Sequence, residues 1–300
     1  MKLLLFGSNG QVGWKLQKYL APLGEMKICG RDNVDFNNLH ELRNVIKTFI
    51  PDVIINAAAY TNVDKAESEK EQAFQINANA IELLSNEAKR INAWLIHYST
   101  DYVFDGMQSE PYEEDDQTNP QTIYGKSKLQ GEQLITESQC KHLILRTSWL
   151  YSIRGRNFLK TIINLAKEKN ELRIVSDQIG APTSAELVAN ITSMCILKII
   201  QNKLASKNIS GIYHLTASGS TSWHAFAEYF LTEAESLGED FLVKPTEIIA
   251  INSSELILPA KRPLNSMLNT GKLSRTFNLY LPSWQNLVSR VIKELYYRET

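Results

Sequence analysis

The sequence has few cysteines and no long apolar run, and both shortages limit what the protein can be. Its three cysteines, Cys29, Cys140 and Cys195, lack metal-site spacing. They therefore indicate small core residues in a reducing compartment. No apolar run approaches the roughly 18 residues of a membrane span, and the apolar residues 1–6 meet a glycine-rich turn, which favours a buried strand over a signal peptide. We expect a cytoplasmic protein without membrane association.

An excess of charge of either sign is also lacking. The 32 basic and 33 acidic residues give a net charge of −1. This balance argues against general nucleic-acid binding, because no overall basic field attracts a polyanion. Three histidines, His97, His142 and His214, lack a second histidine or cysteine at ligand spacing. We expect them to be packed or surface side chains, and we predict no metal site.

Short apolar runs alternate with helical patterns along the first half of the chain. Strands are predicted at residues 2–6, 27–29, 53–57, 94–99 and 142–149, and helices at residues 12–20, 39–49, 71–90 and 127–137. Such alternation predicts the α/β class, with a doubly wound Rossmann-type parallel sheet. Several strands are continuously apolar, as expected for strands buried on both faces.

The pattern loosens after about residue 150. Helices are predicted at residues 157–169, 185–200 and 223–237 and near the end of the chain, and strands at residues 172–175 and 211–215. We predict a dinucleotide-binding domain over residues 1–150, rejoined by about 185–216. Residues 151–184 and 217–300 are predicted to form a smaller C-terminal substrate-binding lobe.

Three glycines, Gly7, Gly10 and Gly13, follow the first predicted strand and lead into the first predicted helix. Gly7 and Gly10 permit a tight turn and a close backbone approach to a diphosphate, and Gly13 allows the helix to pack on the strand. The helix N-terminus offers free N–H groups to an anion. The G-x-x-G-x-x-G spacing differs from the usual fingerprint, but in this context it predicts dinucleotide binding. An ordinary strand-to-helix turn is the alternative.

The end of the second predicted strand bears on the choice of cofactor. An acidic residue is expected there to bind the ribose 2′-OH of NAD. The chain has Gly30 and Arg31 instead, which suit a 2′-phosphate, although Asp32 follows. We predict NADPH as the cofactor, with NADH possible and a solvated arginine as the alternative reading.

Tyr124 and Lys128 are four residues apart and share one face of a predicted helix. A ketone reductase needs a proton donor at the carbonyl oxygen, and free tyrosine has a pKa near 10. A nearby ammonium would stabilise the phenolate and lower that pKa. This pair of residues recurs often by chance, so a solvent-facing pair is the alternative.

Two more candidate segments follow the ends of predicted strands, where open α/β sheets bind their ligands. Ser99 and Thr100 each offer a hydroxyl to a substrate carbonyl. The small side chains of Ala57, Ala58 and Ala59 would let a cofactor pass close to the backbone. Strand-end turn residues and simple alanine packing are the alternatives.

Several segments together resemble the dTDP-4-dehydrorhamnose reductase family, within the extended short-chain dehydrogenases, and the resemblance spans essentially the whole chain. They are FGSNGQVGW (6–14), NAAAYTNVDKAE (56–67), YSTDYVFDG (98–106), YGKSKLQGE (124–132), RTSW (146–149), DQIGAPT (177–183) and RP (262–263). The resemblance implies that NAD(P)H reduces the 4-keto group of dTDP-4-dehydro-L-rhamnose to give dTDP-L-rhamnose.

The resemblance also implies a role for each matching residue. Tyr124 would be the proton donor, Lys128 its partner and ribose ligand, and Thr100 would orient the carbonyl. Cofactor contacts are implied for Gln11 and Val12 at the diphosphate, Asp35 and Phe36 near the adenine, and Ala57, Ala58 and Ala59 along the dinucleotide. Substrate contacts are implied for Asp101 and Trp149 at the sugar and for Arg262 at the nucleotide diphosphate.

Two other functions stay open on the sequence. A reductase or epimerase of another nucleotide sugar would carry the same pair of residues. A non-catalytic regulatory subunit, such as the beta subunit of methionine adenosyltransferase, also resembles this family. The presence of Thr100, Tyr124 and Lys128 together favours catalysis.

Assembly is the point at which the chain departs from the family. Some members form a magnesium-bridged dimer through glutamates from three parts of each chain, and the matching positions here are Lys15, Glu186 and Glu294. An ammonium cannot ligate magnesium, which prefers oxygen ligands. We therefore expect Lys15 to pair with Glu186 or Glu294, and we predict a monomer or weak homodimer.

Overall fold

A computed structural model describes residues 1–201 and 209–296. At its centre lies a six-stranded sheet in which all neighbouring strands are parallel. The strands are β1 (Lys2–Phe6), β2 (Glu25–Cys29), β3 (Val53–Asn56), β4 (Trp94–Thr100), β5 (Lys141–Thr147) and β6 (Gly211–His214), in the spatial order β6-β5-β4-β3-β1-β2. The chain winds outward in both directions from β1 and β3, so a ligand crevice opens at their carboxyl ends. The predicted doubly wound Rossmann-type fold is confirmed.

Helices connect the strands and cover both faces of the sheet. They are α1 (Gln11–Leu20), α2 (Leu39–Phe49), α3 (Val63–Ala66), α4 (Lys70–Phe74), α5 (Ala80–Arg90), α6 (Ile123–Ser138), α7 (Phe158–Glu168), α8 (Ala185–Ile200), α9 (Trp223–Ser236), α10 (Gly271–Phe277) and α11 (Trp284–Tyr296). A π-helical turn over Gln75–Asn79 joins α4 to α5. None of the helices in the described ranges is both long and apolar enough to span a bilayer.

Short strand pairs lie outside the central sheet. Leu150–Tyr151 pairs in parallel with Thr183–Ser184, and Arg173–Val175 pairs in parallel with Ile249–Ile251. Ile179–Gly180 pairs antiparallel with Thr221–Ser222. These pairs tie segments from both sides of α8 together, so the C-terminal half of the chain is built from contacts that are distant in sequence.

The core is divided between the two faces of the sheet. Leu3 and Leu5 of β1 belong to a cluster that includes residues of α1 and α8, whereas Leu4 and Phe6 face a second cluster with residues of α2 and α5. Successive strand residues point to opposite faces. Burying one such side chain contributes about 1.5–3 kcal/mol, which explains why β1 is apolar from Leu3 to Phe6.

Several predicted boundaries differ from the structure, and two of the errors have a clear local cause. Helix α6 begins at Ile123 instead of Ser127, because the Thr122 hydroxyl accepts the Gly125 N–H and caps the helix. Strand β5 ends at Thr147, because Trp149 adopts a left-handed conformation with φ of 48°. The short helices α3 and α10 were not predicted.

The chain returns to the sheet after α8. Strand β6 pairs with β5 from Gly211 to His214, and α8 packs against α1. The division of the chain into a cofactor-binding domain and a substrate-binding lobe remains a prediction.

Candidate active site

The glycine turn after β1 has the geometry that close packing requires. Gly7 has φ of 79°, and a Cβ there would lie 2.4 Å from the carbonyl carbon of Ala57. A Cβ on Gly13 would lie 2.1 Å from the Gly7 carbonyl oxygen. A Cβ on Gly10 would find its nearest neighbour at 3.4 Å. Gly7 and Gly13 are thus required by the fold, whereas Gly10 borders open space at the N-terminus of α1, where a diphosphate fits.

The segment after β2 lies beside this turn. A Cβ on Gly30 would lie 2.2 Å from Asn9 Oδ1, and Asn9 Nδ2 donates to Asp32 Oδ2 at 3.2 Å. Arg31 is exposed and adjacent to this group. The arrangement offers a guanidinium at the position expected for a 2′-phosphate.

Three of the predicted cofactor ligands also have structural roles. Val12 and Phe36 are buried, and the Phe36 ring packs edge-to-face on Phe6. Gln11 Oε1 accepts hydrogen bonds from Ser152 Oγ at 3.1 Å and Asn157 Nδ2 at 2.9 Å. Gln11 thereby ties the turn to the loop before α7.

Asp35 and the alanine segment differ in burial. The exposed Asp35 accepts the backbone N–H of Asn37 at 2.9 Å. Ala57, Ala58 and Ala59 follow β3 directly and are partly exposed. They lie beside Gly7, so they border the crevice in which a dinucleotide would lie.

Tyr124 and Thr100 meet because α6 begins beside the carboxyl end of β4. Burial raises the pKa of Tyr124 to about 12, while the Thr100 hydroxyl lowers it and the charge of Asp101 raises it further. The Thr100 hydroxyl accepts the Tyr102 N–H at 3.2 Å and donates to Asp101 Oδ1 at 3.0 Å. The Ser99 hydroxyl is buried without a hydrogen-bond partner in the described chain. Of the two candidates, Thr100 is the one that interacts with Tyr124.

Asp101 is buried beneath this hydroxyl. Its second oxygen, Oδ2, accepts the Ser266 hydroxyl at 2.6 Å. Burial raises the pKa of Asp101 to about 6, while the hydrogen bonds from Ser266 and Thr100 lower it. The sequence predicted a sugar contact for Asp101, and the structure adds that this carboxylate orients Thr100.

Lys128 belongs to a buried polar chain that the sequence did not predict. Its Nζ lies 2.6 Å from the Tyr98 carbonyl oxygen and 3.1 Å from Nε2 of His97. Nδ1 of His97 lies 3.1 Å from Nδ2 of Asn56. The register pairs Asn56 with His97 on neighbouring strands, and that shared position at the carboxyl edge is the signal that could have identified both.

Burial has opposite effects on the pKa values of the tyrosine and the lysine. Burial lowers the pKa of Lys128 to about 8, while the charge of Glu132 raises it. Burial and the charge of Lys128 lower the pKa of His97 well below its usual range. Within the described chain, the hydrogen bonds of Lys128 go to His97 and Tyr98 of β4. That its ammonium lowers the pKa of Tyr124 therefore remains a prediction.

A buried ion pair fixes α6 to the sheet. Arg146 of β5 contacts both carboxylate oxygens of Glu132, at 2.7 Å for the shortest bond, and both side chains are 2% exposed. Arg146 Nη1 also donates to the Glu114 carbonyl oxygen. The pair lies one helical turn after Lys128 and holds that helix in register with β5.

Trp149 lies in the left-handed turn after β5, the strand next to β4. Its ring stacks on Trp223 with centroids 3.5 Å apart. A Cβ on Gly180 would lie 2.5 Å from the Trp149 ring. Beyond Gly180, a cavity of about 310 Å³ is lined by residues that include Met107, Ile179 and Leu264.

Arg262 lies beside Tyr102 and Thr122 and is held by an acid. Its Nη2 donates to Asp64 Oδ2 at 2.7 Å. Its Nη1 is buried without a partner in the described residues. Those residues also contain no group of three or more His, Cys, Asp or Glu side chains placed to hold a metal ion.

Comparison with known proteins identifies the family. Residues 1–297 match the family described as the RmlD substrate binding domain. The dTDP-4-dehydrorhamnose reductases of Salmonella typhimurium and Escherichia coli are 44% and 45% identical to this chain, each over 99% of it and 98% of the relative. The crystal structure of the Bacillus anthracis reductase in complex with NADP has a TM-score of 0.84 and 34% identity, covering 98% of this chain and 99% of that one. With its dinucleotide turn, its Tyr124 and its Lys128 all in place, the chain belongs to the dTDP-4-dehydrorhamnose reductase family.

Proposed function

We propose that this protein reduces the 4-keto group of dTDP-4-dehydro-L-rhamnose with NADPH, giving dTDP-L-rhamnose. The observation that carries the proposal is the meeting of Tyr124 and Thr100 at the carboxyl end of β4, beside a glycine turn suited to a dinucleotide. The close full-length relatives bear the name of this activity. Another nucleotide sugar would meet the same hydroxyls, so product identification must accompany the assay.

The reduction needs one hydride at the carbonyl carbon and one proton at the carbonyl oxygen. NADPH supplies the hydride when it is bound. The Tyr124 hydroxyl donates the proton to the carbonyl oxygen. The Thr100 hydroxyl donates its single proton to Asp101 Oδ1 at 3.0 Å in the free protein and turns it to the carbonyl oxygen when substrate binds.

The cofactor-binding residues are proposed from their places along the crevice. Gly10 leaves space for the diphosphate, Ala58 borders the dinucleotide, and Lys128 binds the ribose. Arg31 is exposed beside Gly30 and can pair with a 2′-phosphate, which favours NADPH over NADH.

The substrate is proposed to lie between Tyr124 and Trp149. The partly exposed Trp149 side chain, one face of which is covered by Trp223, offers apolar contact to the sugar. The cavity beyond Gly180 leaves room for the rest of the nucleotide. Arg262, which now pairs with Asp64, is proposed to exchange that partner for the diphosphate. A cytoplasmic location is also proposed, because Cys29, Cys140 and Cys195 are buried free thiols.

The proton-donor role is tested with Tyr124→Phe. Loss of a general acid costs about 10²–10⁴ in rate, so we expect kcat to fall by that factor while the Kd for NADPH changes little. NADPH oxidation with dTDP-4-dehydro-L-rhamnose measures the first quantity, and calorimetry measures the second.

Tyr213→Phe is the matched control, because the Tyr213 hydroxyl donates to the Ile209 carbonyl oxygen away from the crevice. It should retain full activity. A fully active Tyr124→Phe enzyme, or a wild-type enzyme that reduces a different sugar nucleotide instead, would contradict the proposal.

A further inference from the structure

A chain of buried hydrogen bonds connects Lys128 to the backbone N–H of Ala58, and it bears on the protonation state of Lys128 as well as on its position. It runs from the Ala58 backbone N–H to Asn56 Oδ1 at 3.1 Å, from Asn56 Nδ2 to His97 Nδ1 at 3.1 Å, and from His97 Nε2 to Lys128 Nζ at 3.1 Å. Asn56 and His97 are almost fully buried. Each link therefore needs one donor and one acceptor, because a buried polar group without a partner is unfavourable.

The first link decides the orientation of the Asn56 amide. A backbone N–H can only donate, so the atom that faces Ala58 must be the amide oxygen. The amide nitrogen then faces His97 Nδ1 and donates to it. With Nδ1 as an acceptor, a neutral His97 carries its proton on Nε2.

The last link then places two donors face to face unless Lys128 is neutral. The Nε2–H of His97 points at Lys128 Nζ, and an ammonium has no lone pair to accept it. An amine accepts that hydrogen bond and still donates to the Tyr98 carbonyl oxygen at 2.6 Å. The opposite histidine tautomer would require a flipped Asn56 amide, with its NH₂ group against the Ala58 N–H.

We propose that His97 is a positioning residue that holds Lys128 as a neutral amine in the cofactor-free protein at mildly alkaline pH, so that binding of NADPH there takes up a proton. The proton comes from solvent and forms an N–H bond at Nζ, and no electrons are transferred. This inference rests on the proposed role of Lys128 as ribose ligand. Ribose oxygens accept hydrogen bonds and the cofactor phosphates are negative, so the bound state favours the ammonium.

The other groups around Lys128 agree with this assignment. On α6, Glu132 forms an ion pair with Arg146 of β5, and this pairing weakens the effect of the Glu132 charge on the pKa of Lys128. Burial lowers the pKa of Lys128 to about 8. The pKa of Tyr124, at about 12, keeps its hydroxyl protonated in the same range. A proton that is taken up when NADPH binds at about pH 9 is therefore assigned to Lys128.

Calorimetry of NADPH binding to the full chain, in buffers of different ionisation enthalpy, counts that proton. At about pH 9 we expect wild-type protein to take up well over half a proton, and at about pH 7 much less. His97→Gln can present its amide oxygen to an ammonium, so its uptake at about pH 9 should fall below half the wild-type value. His142→Gln, a second buried histidine, on β5, should keep the wild-type uptake.

Direct detection of the tautomer supplements the variants. Nitrogen-15 spectra of the cofactor-free wild-type protein should show His97 protonated on Nε2 and unprotonated on Nδ1. The opposite tautomer, or tight NADPH binding without proton uptake at about pH 9, would overturn this inference alone. Lys128→Met that binds NADPH as tightly as wild type at about pH 7 would overturn the proposed ribose contact and this inference together.

Discussion

At the scale of single residues, burial decides the chemistry of the site more than residue type does. Asp101 follows Thr100 at the end of β4 and is 4% exposed. Its carboxylate accepts two hydroxyl hydrogen bonds, yet burial still raises its pKa to about 6. The unfolded chain ionises this group near 3.9, so the folded protein holds its proton more tightly than the unfolded chain does.

This difference predicts the pH dependence of stability for Asp101→Asn. A raised pKa in the folded state means that the contribution of Asp101 is fully favourable below about pH 4 and is lost as the pH rises through about 6. The asparagine variant should be more stable than wild type by about 1–3 kcal/mol at pH 7. The difference should vanish near pH 4, as measured by urea unfolding across this range.

Asp105→Asn is the matched control at the other end of the same loop. Hydrogen bonds from the Met107 N–H and Tyr112 lower the pKa of Asp105. That group stabilises the fold at neutral pH and loses its contribution as the pH falls through its folded-state pKa. Its asparagine variant should therefore be no more stable than wild type at pH 7. A pH-independent difference for Asp101→Asn would contradict the prediction.

At the scale of elements, α6 is the part of the fold on which the proposed chemistry depends. Thr122 caps its first turn, Tyr124 lies in that turn, Lys128 lies one turn later, and Glu132 one turn after that. The spacing of four residues places these side chains along one face. The Glu132–Arg146 ion pair fixes this face against β5.

Removing one member of that pair should destabilise the protein strongly. Arg146→Met leaves the Glu132 carboxylate buried without its partner, and we expect a loss of about 3–5 kcal/mol in the free energy of unfolding. The exposed pair between Arg173 and Glu255 is the control. Arg173→Met should lose less than about 1 kcal/mol.

Chemical denaturation at pH 7 distinguishes these variants. Adding Glu132→Gln to Arg146→Met should recover part of the loss, because the unpaired charge is then gone. Equal losses for Arg146→Met and Arg173→Met would show that the buried pair does not hold α6.

At the scale of the whole molecule, a lysine joins three helices that are distant in sequence. Lys15 of α1 lies 3.0 Å from Glu186 Oε2 of α8 and 3.5 Å from Glu294 Oε1 of α11. The Tyr19 hydroxyl donates to the other oxygen of Glu186 at 2.6 Å. The expectation that Lys15 pairs with these glutamates is confirmed, and its ammonium occupies the place between the two carboxylates.

We predict that magnesium does not bridge two copies of this chain. The Lys15 ammonium already neutralises charge at the two carboxylates and cannot ligate the metal. Sedimentation should give a monomer or weak dimer whose mass is the same with magnesium and with chelator. Lys15→Met is the control, because it frees the glutamates without adding a ligand. A wild-type dimer that chelator dissociates would contradict the prediction.

The sequence by itself determined the architecture of the sheet and the main candidates in the site. Apolar runs at strand length, the three glycines after β1 and the Tyr124–Lys128 spacing are local patterns, and each follows from a period or a turn within a few residues. The sequence was wrong at boundaries such as Ile123 and Thr147, where a cap or a left-handed turn acts on single residues, and it missed the short helices α3 and α10.

Only the tertiary structure decided which side chains support those candidates. His97 and Lys128 are 31 residues apart, and Lys15 and Glu186 are 171 apart, so no local period records their contact. His97 matched the pattern of a packed strand residue, and it is one, but the side chain packed against it is the proposed ribose ligand. The pKa shifts of Lys128 and Asp101 could not be predicted from the sequence either. They depend on burial and on hydrogen-bond partners that exist only when the sheet and α6 have come together.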